Sequence, residues 1–198
     1  FPTKASVRAE PNAYTNDVSA DAQLMEAEMQ EVDAVITRRL ASQVVLVNQI
    51  AGYITSAGGK RVRPMLVLLF SNALGFRGPE RFELAATVEF IHTATLLHDD
   101  VVDESDLRRG KKTANALFGN AASILVGDFV YSRAFQMMVS VNRMRVLEVL
   151  SEATNVIAEG EVLQLMNMHN PDVQVSDYLK VIRFKTAKLF EASARLGA

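Results

Sequence analysis

The sequence predicts an all-α protein, and three observations carry that expectation. Apolar residues recur at three- and four-residue intervals over long stretches. Two-residue alternation reaches no useful strand length. Gly-Gly, Gly-Pro and Asn-Pro-Asp signals cut the chain into segments of helical length.

Residues 1–18 mix Pro, Asn, Thr and Ala without apolar periodicity and read as a flexible arm; residues 19–198 read as one helical unit. From Ser19, the positions Leu24, Met25, Val32, Val35, Ile36 and Leu40 fall on one face of a helix. A second helix runs from Val44 to Ile54 and stops at Gly58-Gly59, a pair suited to the left-handed turn after a helix end. Pro64 stands near the start of the next helix, where its missing N–H costs nothing, and that helix ends before Gly75. A long helix follows from about Pro79 to Asp103, then a polar stretch, Glu104–Thr113, rich in Arg, Lys and Gly. Further helices cover about 120–139, 144–168 and 175 to the end, with Asn170-Pro171-Asp172 as the turn between the last two.

Composition narrows the function. The 198 residues are 49% hydrophobic and 22% charged, with 21 Lys and Arg against 23 Asp and Glu, a net charge of -2. That balance argues against nucleic-acid binding through bulk positive charge. No cysteine is present, so disulfides, thiolate catalysis and cysteine zinc sites are excluded. The opening residues lack the apolar core of a secretory signal, and the longest apolar stretch, 121–139, is interrupted by Asp128 and Arg133. The expectation is a cytoplasmic protein with no stable membrane span. The chain opens with Phe, which reads as a processed or trimmed start.

Three clusters carry chemistry. Asp99 and Asp103 are four apart near the C-terminal end of a helix, so both carboxylates can aim at one point. Few hard oxygen ligands, with positions left for water or phosphate, suit Mg²⁺, and the helix C-terminus adds negative charge. An isolated acidic cluster is more often a solvated face; this one emerges from the apolar run Phe90–Leu97, which looks buried. Next, Arg108-Arg109-Gly110-Lys111-Lys112 offers planar guanidinium forks for phosphate oxygens beside a glycine. Basic loops are common, so the signal lies in its place just after the carboxylates. Finally, Gly58-Gly59-Lys60-Arg61-Val62-Arg63-Pro64 sets three cations at a helix N-terminus, which is unfavourable unless an anion compensates. His92 lies two turns before Asp99 on the same face, so it is expected to share that cavity and to bind an anionic oxygen. His98 and His169 receive no role.

These residues, in this order, resemble the trans-isoprenyl diphosphate synthases: Gly58–Pro64, then Phe90–Asp103, then Arg108–Gly110. The resemblance runs from about residue 20 to the end and is strongest with the bacterial octaprenyl diphosphate synthases. It implies an isoprenoid-synthase-type bundle of long antiparallel helices around a central cavity, with the C-terminal part missing. Residues 19–198 are then the front part of a single prenyltransferase domain. Lys60, Arg63, His92 and Arg109 are implied to hold isopentenyl diphosphate. Asp99 and Asp103 are implied to bind Mg²⁺ bridging an allylic diphosphate, which Arg108 also contacts. Lys185 and Thr186 match the Lys-Thr pair that binds the allylic diphosphate and stabilises the developing cation. Gly160-Glu161 with Gln164 matches a cavity-lining segment, with Gln164 taken as a catalytic candidate. Ala94 and Thr95, about one turn before Asp99, are small where short-chain members carry aromatics. A long product is therefore expected, octaprenyl from a farnesyl starter, serving quinone side chains such as ubiquinone. Met137, Met138 and Leu150 are candidate floor residues. A homodimer is implied as well.

The family's second aspartate-rich motif has no counterpart here, since no Asp-Asp follows Asp100. The expectation is a truncated synthase, with a non-catalytic subunit or inactive fragment of the same fold as the alternative. A terpene cyclase would share the aspartate-rich helix but needs no second diphosphate site.

Overall fold

The structure is a computed structural model that describes residues 13–56, 58–168 and 170–198. Helices dominate, as expected: α1 (Ala13–Leu40), α2 (Val45–Ser56), α3 (Val62–Ala73), α4 (Glu80–Val102), α5 (Ala114–Phe118), α6 (Asn120–Ser140), α7 (Met144–Asn167), α8 (Val175–Val181) and α9 (Lys188–Gly197). Between α8 and α9 a π-helical segment, Ile182–Ala187, keeps the three running as one wound rod.

Helix α4 is the centre of the bundle and packs against α1, α3, α6 and α9. It is buried along most of its length, and Phe90, Ile91, Ala94 and Leu97 are fully buried. Around it stand Val32 and Ile36 of α1, Leu68 of α3, Val130 and Met137 of α6, and Leu150 of α7. Truncating Phe90 to alanine in such a core costs about 3–5 kcal/mol. The Ser123 hydroxyl, fully buried on α6, donates to the Leu97 carbonyl at 3.0 Å and pins α6 to α4. Connections are short, with three residues between α6 and α7.

Three boundaries differ from the sequence expectation. Helix α1 begins at Ala13, so 13–18 are helical rather than part of an arm; residues 1–12 and His169 lie outside the described residues. Residues 13–18 carry no apolar periodicity, the signal from which the start of the helix is read. The polar stretch after α4 holds a small hairpin, β1 (Leu107–Arg108) with β2 (Lys111–Lys112), closed by Arg109 (φ 53°) and Gly110 (φ 77°). Two left-handed residues in a two-residue turn are the type I′ pattern. Strands of two residues carry no readable alternation, which is why they were not expected. Short α5 follows, capped by the Thr113 hydroxyl accepting from the Ala116 amide.

Candidate active site

Two cavities flank one edge of α4. Glu89, His92, Thr93 and Leu96 of that helix line the first, of about 480 Å³, with Lys60, Arg61, Arg63, Arg109 and Phe190 opposite. Ile91, Thr95, His98 and Asp99 line the second, of about 280 Å³, with Tyr131, Ile157, Ala158 and Glu161 opposite. His92 and Asp99 therefore sit in different cavities, although their spacing suggested a shared one. Seven residues separate them by about 10.5 Å along the axis, enough for the helix edge to pass from one cavity to the other.

The first cavity collects cations. Gly58 takes φ 75°, which turns the chain out of α2, and Gly59 lies against the Arg109 guanidinium: a Cβ there would stand 2.9 Å from Nη1. The hairpin turn that holds Arg109 is tied to α2 by the Tyr53 hydroxyl, donating to the Lys112 carbonyl at 2.6 Å. Arg63 stacks over Phe190, 4.4 Å from the ring centroid. Arg61 reaches Glu89 at 3.3 Å and Asp33 at 3.4 Å. Lys60 makes no ion pair among the described residues. Arg63 Nε and Arg61 Nη1 are buried without a hydrogen-bond partner among the described residues, an incomplete arrangement that an anion's oxygens could complete. Burial pulls the Arg63 pKa down, with Glu89 opposing. Burial likewise pushes the Glu89 carboxyl up, against the pull of Arg61, Arg63 and Arg109. His92 is pushed down to about 3, by burial first and then by Arg63, Arg109 and Arg108. It is therefore a neutral imidazole at physiological pH, able to donate one hydrogen bond to an anion without adding charge.

At the mouth of the second cavity, the Lys185 ammonium bridges Asp99 Oδ2 (3.4 Å) and Glu161 Oε2 (2.6 Å). Lys185 belongs to the π-helical segment, a geometry frequent at functional sites. Its backbone reaches α7 because Gly160 carries no side chain: a Cβ there would meet the Lys185 amide at 2.8 Å. Burial raises the pKa of Asp99 and of Glu161, with Lys185 opposing in each case. Burial disfavours the lysine charge, but the Glu161 hydrogen bond and the Asp99 charge outweigh it and hold Lys185 above the ordinary lysine value. Asp103 caps α4 and is exposed. Among the described residues no three Asp, Glu or His converge to enclose an ion. Asp99 and Asp103 nonetheless fit one that keeps water and phosphate among its ligands, the habit of Mg²⁺.

Arg108 spends most of its donors on the buried Asp100, leaving Nη1 without a hydrogen bond among the described residues. Thr186 is exposed beside Lys185, and Gln164 is half-buried with no side-chain hydrogen bond among the described residues. Thr95 lines the second cavity, whereas Ala94 is 1% exposed and belongs to the core. Met137, Met138 and Leu150 are core residues too. Glu161 was noted only as part of a segment whose role went to Gln164, and Glu89 and Phe190 were not singled out. Glu89 stands one turn before His92 on the same stripe, a signal that spacing does contain. His98, given no role, lines the second cavity, 3.2 Å from Asp128 and packed on Gly127.

Residues 44–198 match the Polyprenyl synthetase family. The chain belongs to that family. It is 61% identical over 173 residues to octaprenyl diphosphate synthase of Escherichia coli (strain K12), a match covering 87% of this chain and 54% of the relative. The polyprenyl synthetase fold is equally evident in solved structures. A decaprenyl diphosphate synthase from Rhodobacter capsulatus superposes with a TM-score of 0.85 at 50% identity, over 89% of this chain and 55% of that one. A polyprenyl synthase from Caulobacter crescentus CB15, complexed with calcium and isoprenyl diphosphate, gives 0.86 at 49% identity, over 89% and 54%. The chain spans about half the length of the curated relatives it matches. No helix among the described residues is long and apolar enough to cross a membrane.

Proposed function

We propose that this chain carries the two diphosphate sites and the first metal-binding pair of a chain-elongating prenyltransferase. It condenses isopentenyl diphosphate with an allylic diphosphate, farnesyl as starter, to an all-trans octaprenyl diphosphate for quinone side chains such as ubiquinone. The observation that carries this reading is α4 serving as common wall to a cationic cavity and to a carboxylate-mouthed second cavity. The name of the Escherichia coli relative and the ligands of the Caulobacter structure point the same way.

In this reading Lys60, Arg63 and Arg109 neutralise the diphosphate of isopentenyl diphosphate, and neutral His92 donates a directed hydrogen bond to it. The allylic diphosphate lies over Asp99 and Asp103 with its tail in the second cavity. Magnesium held by that pair would offset the charge of the departing diphosphate. Lys185 and the free Nη1 of Arg108 donate to the same oxygens, where fixed donors in a dry site are most effective. The allylic C1–O bond breaks, the double bond of isopentenyl diphosphate attacks C1, and the departed diphosphate takes a proton from C2 of the isopentenyl unit. Ile91, Tyr131 and Ile157 keep water from the cation. Thr95 marks the path of the growing tail. A homodimer and a cytoplasmic setting belong to the proposal; exposed Leu125, Phe135 and Val139 on α6 offer apolar surface for the former.

The test is incubation with labelled isopentenyl diphosphate, farnesyl diphosphate and Mg²⁺, with products sized by chromatography. Long prenyl products that vanish with Asp99→Ala support the reading; absence of any product sinks it for this chain.

A further inference from the structure

Lys185 stands where two requirements conflict. Its ammonium is 3.4 Å from Asp99 Oδ2, so it occupies space and charge that a divalent cation on Asp99 needs. The same ammonium must remain at hand to meet the diphosphate. Its tighter partner is Glu161, at 2.6 Å, and Glu161 is no member of the Asp99–Asp103 pair. The backbone around Lys185 is held independently: the π-helical turn winds it toward α7, and Gly160 admits its amide. The ammonium can therefore swing between the two carboxylates without moving the helix that carries it.

We propose that Glu161 is a positioning residue that draws Lys185 off Asp99, so that a divalent cation can enter while the lysine stays beside the site. The inference rests on the prenyltransferase reading above for the identity of the cation and of the diphosphate. Glu161 itself stays off the cation.

Three consequences separate this from a purely structural ion pair. Removing the ammonium frees Asp99, and the divalent cation binds more tightly in the absence of diphosphate. Removing the Glu161 charge sends the ammonium onto Asp99, and the cation binds more weakly. Once the ammonium is gone, the Glu161 substitution has nothing left to act through. A direct ligand role for Glu161 predicts instead the same loss in both backgrounds.

The experiment is Mn²⁺ binding to the chain, read by electron paramagnetic resonance without substrate, in the wild type, Asp99→Asn, Lys185→Met, Glu161→Gln and the Lys185→Met/Glu161→Gln double variant. Circular dichroism melts confirm that each is folded, and Lys185→Gln replaces Lys185→Met if that variant is not. Expected are binding lost in Asp99→Asn, about threefold to tenfold tightening in Lys185→Met and weakening of similar size in Glu161→Gln, the range that one half-buried charge commands. In the double variant the Glu161→Gln effect disappears, a coupling that only contact through the lysine produces. Binding lost in Asp99→Asn but unmoved by Lys185→Met, or an undiminished Glu161→Gln effect in the double variant, overturns the inference alone. No Mn²⁺ binding in the wild type overturns both the inference and the metal site on which it rests.

Discussion

Arg108 grips Asp100 through three hydrogen bonds, from Nε to Oδ1 (3.0 Å) and Oδ2 (3.1 Å) and from Nη2 to Oδ1 (2.7 Å). Asp100 is 2% exposed, so the middle carboxylate of the aspartate run faces inward and serves the hairpin rather than a metal. Asp100→Ala leaves a part-buried guanidinium edge unpaired and should cost about 1–3 kcal/mol of stability. Asp99→Ala should leave the melting temperature nearly unchanged while abolishing metal-dependent turnover. Thermal melts beside product assays on the two variants check the contrast.

His92 gives a pH dependence with a definite sign. Its pKa drops from 6.5 to about 3 on folding, so the unfolded chain binds more protons between those values. Its contribution to stability is fully present above about pH 6.5 and is lost as pH falls toward 3. In denaturant titrations His92→Gln should show a shallower loss of stability over that window than the wild type, and no difference in pH slope above it.

Gly59 and Arg109 form a contact that a single methyl would spoil. A Cβ at Gly59 would stand 2.9 Å from Arg109 Nη1, so Gly59→Ala must displace the guanidinium. Pyrophosphate binding, measured by calorimetry, should weaken about tenfold, the worth of one charge-assisted hydrogen bond, with little change in melting temperature.

Ala94 and Thr95 should behave differently although they are neighbours. Thr95→Phe places a ring in a cavity of about 280 Å³ and should shorten the product. Ala94→Phe drives a ring into a filled core and should destabilise by about 1–3 kcal/mol or more. Product chromatography and denaturation of each variant separate the two effects.

Much of this was legible in the chain. The helices were marked by periodicity and by Gly and Pro punctuation, because both arise from local backbone rules. The cationic cluster Lys60, Arg61 and Arg63 was marked by charges that would otherwise repel each other, and the roles proposed for Lys60, Arg63 and Arg109 came from the family resemblance. Less visible were contacts between distant segments. Glu161 meets Lys185 across 24 residues of sequence, and Phe190 meets Arg63 across more than a hundred. Nothing local marks such a partner. The assignment of Asp99 and His92 to separate cavities was hidden for a related reason: a helical wheel records angle and discards distance along the axis.

Because α4 walls both cavities, it works as a ruler with fixed graduations. One residue inserted between His92 and Asp99 would turn everything beyond it by about 100° and advance it by about 1.5 Å. Asp99 would leave its cavity while Glu89 and His92 kept theirs, and the two cavities would lose their common frame. The Leu74–Pro79 connection carries no such constraint. A residue inserted there should therefore leave both cavities intact, whereas one inserted between Glu89 and Asp103 should separate them.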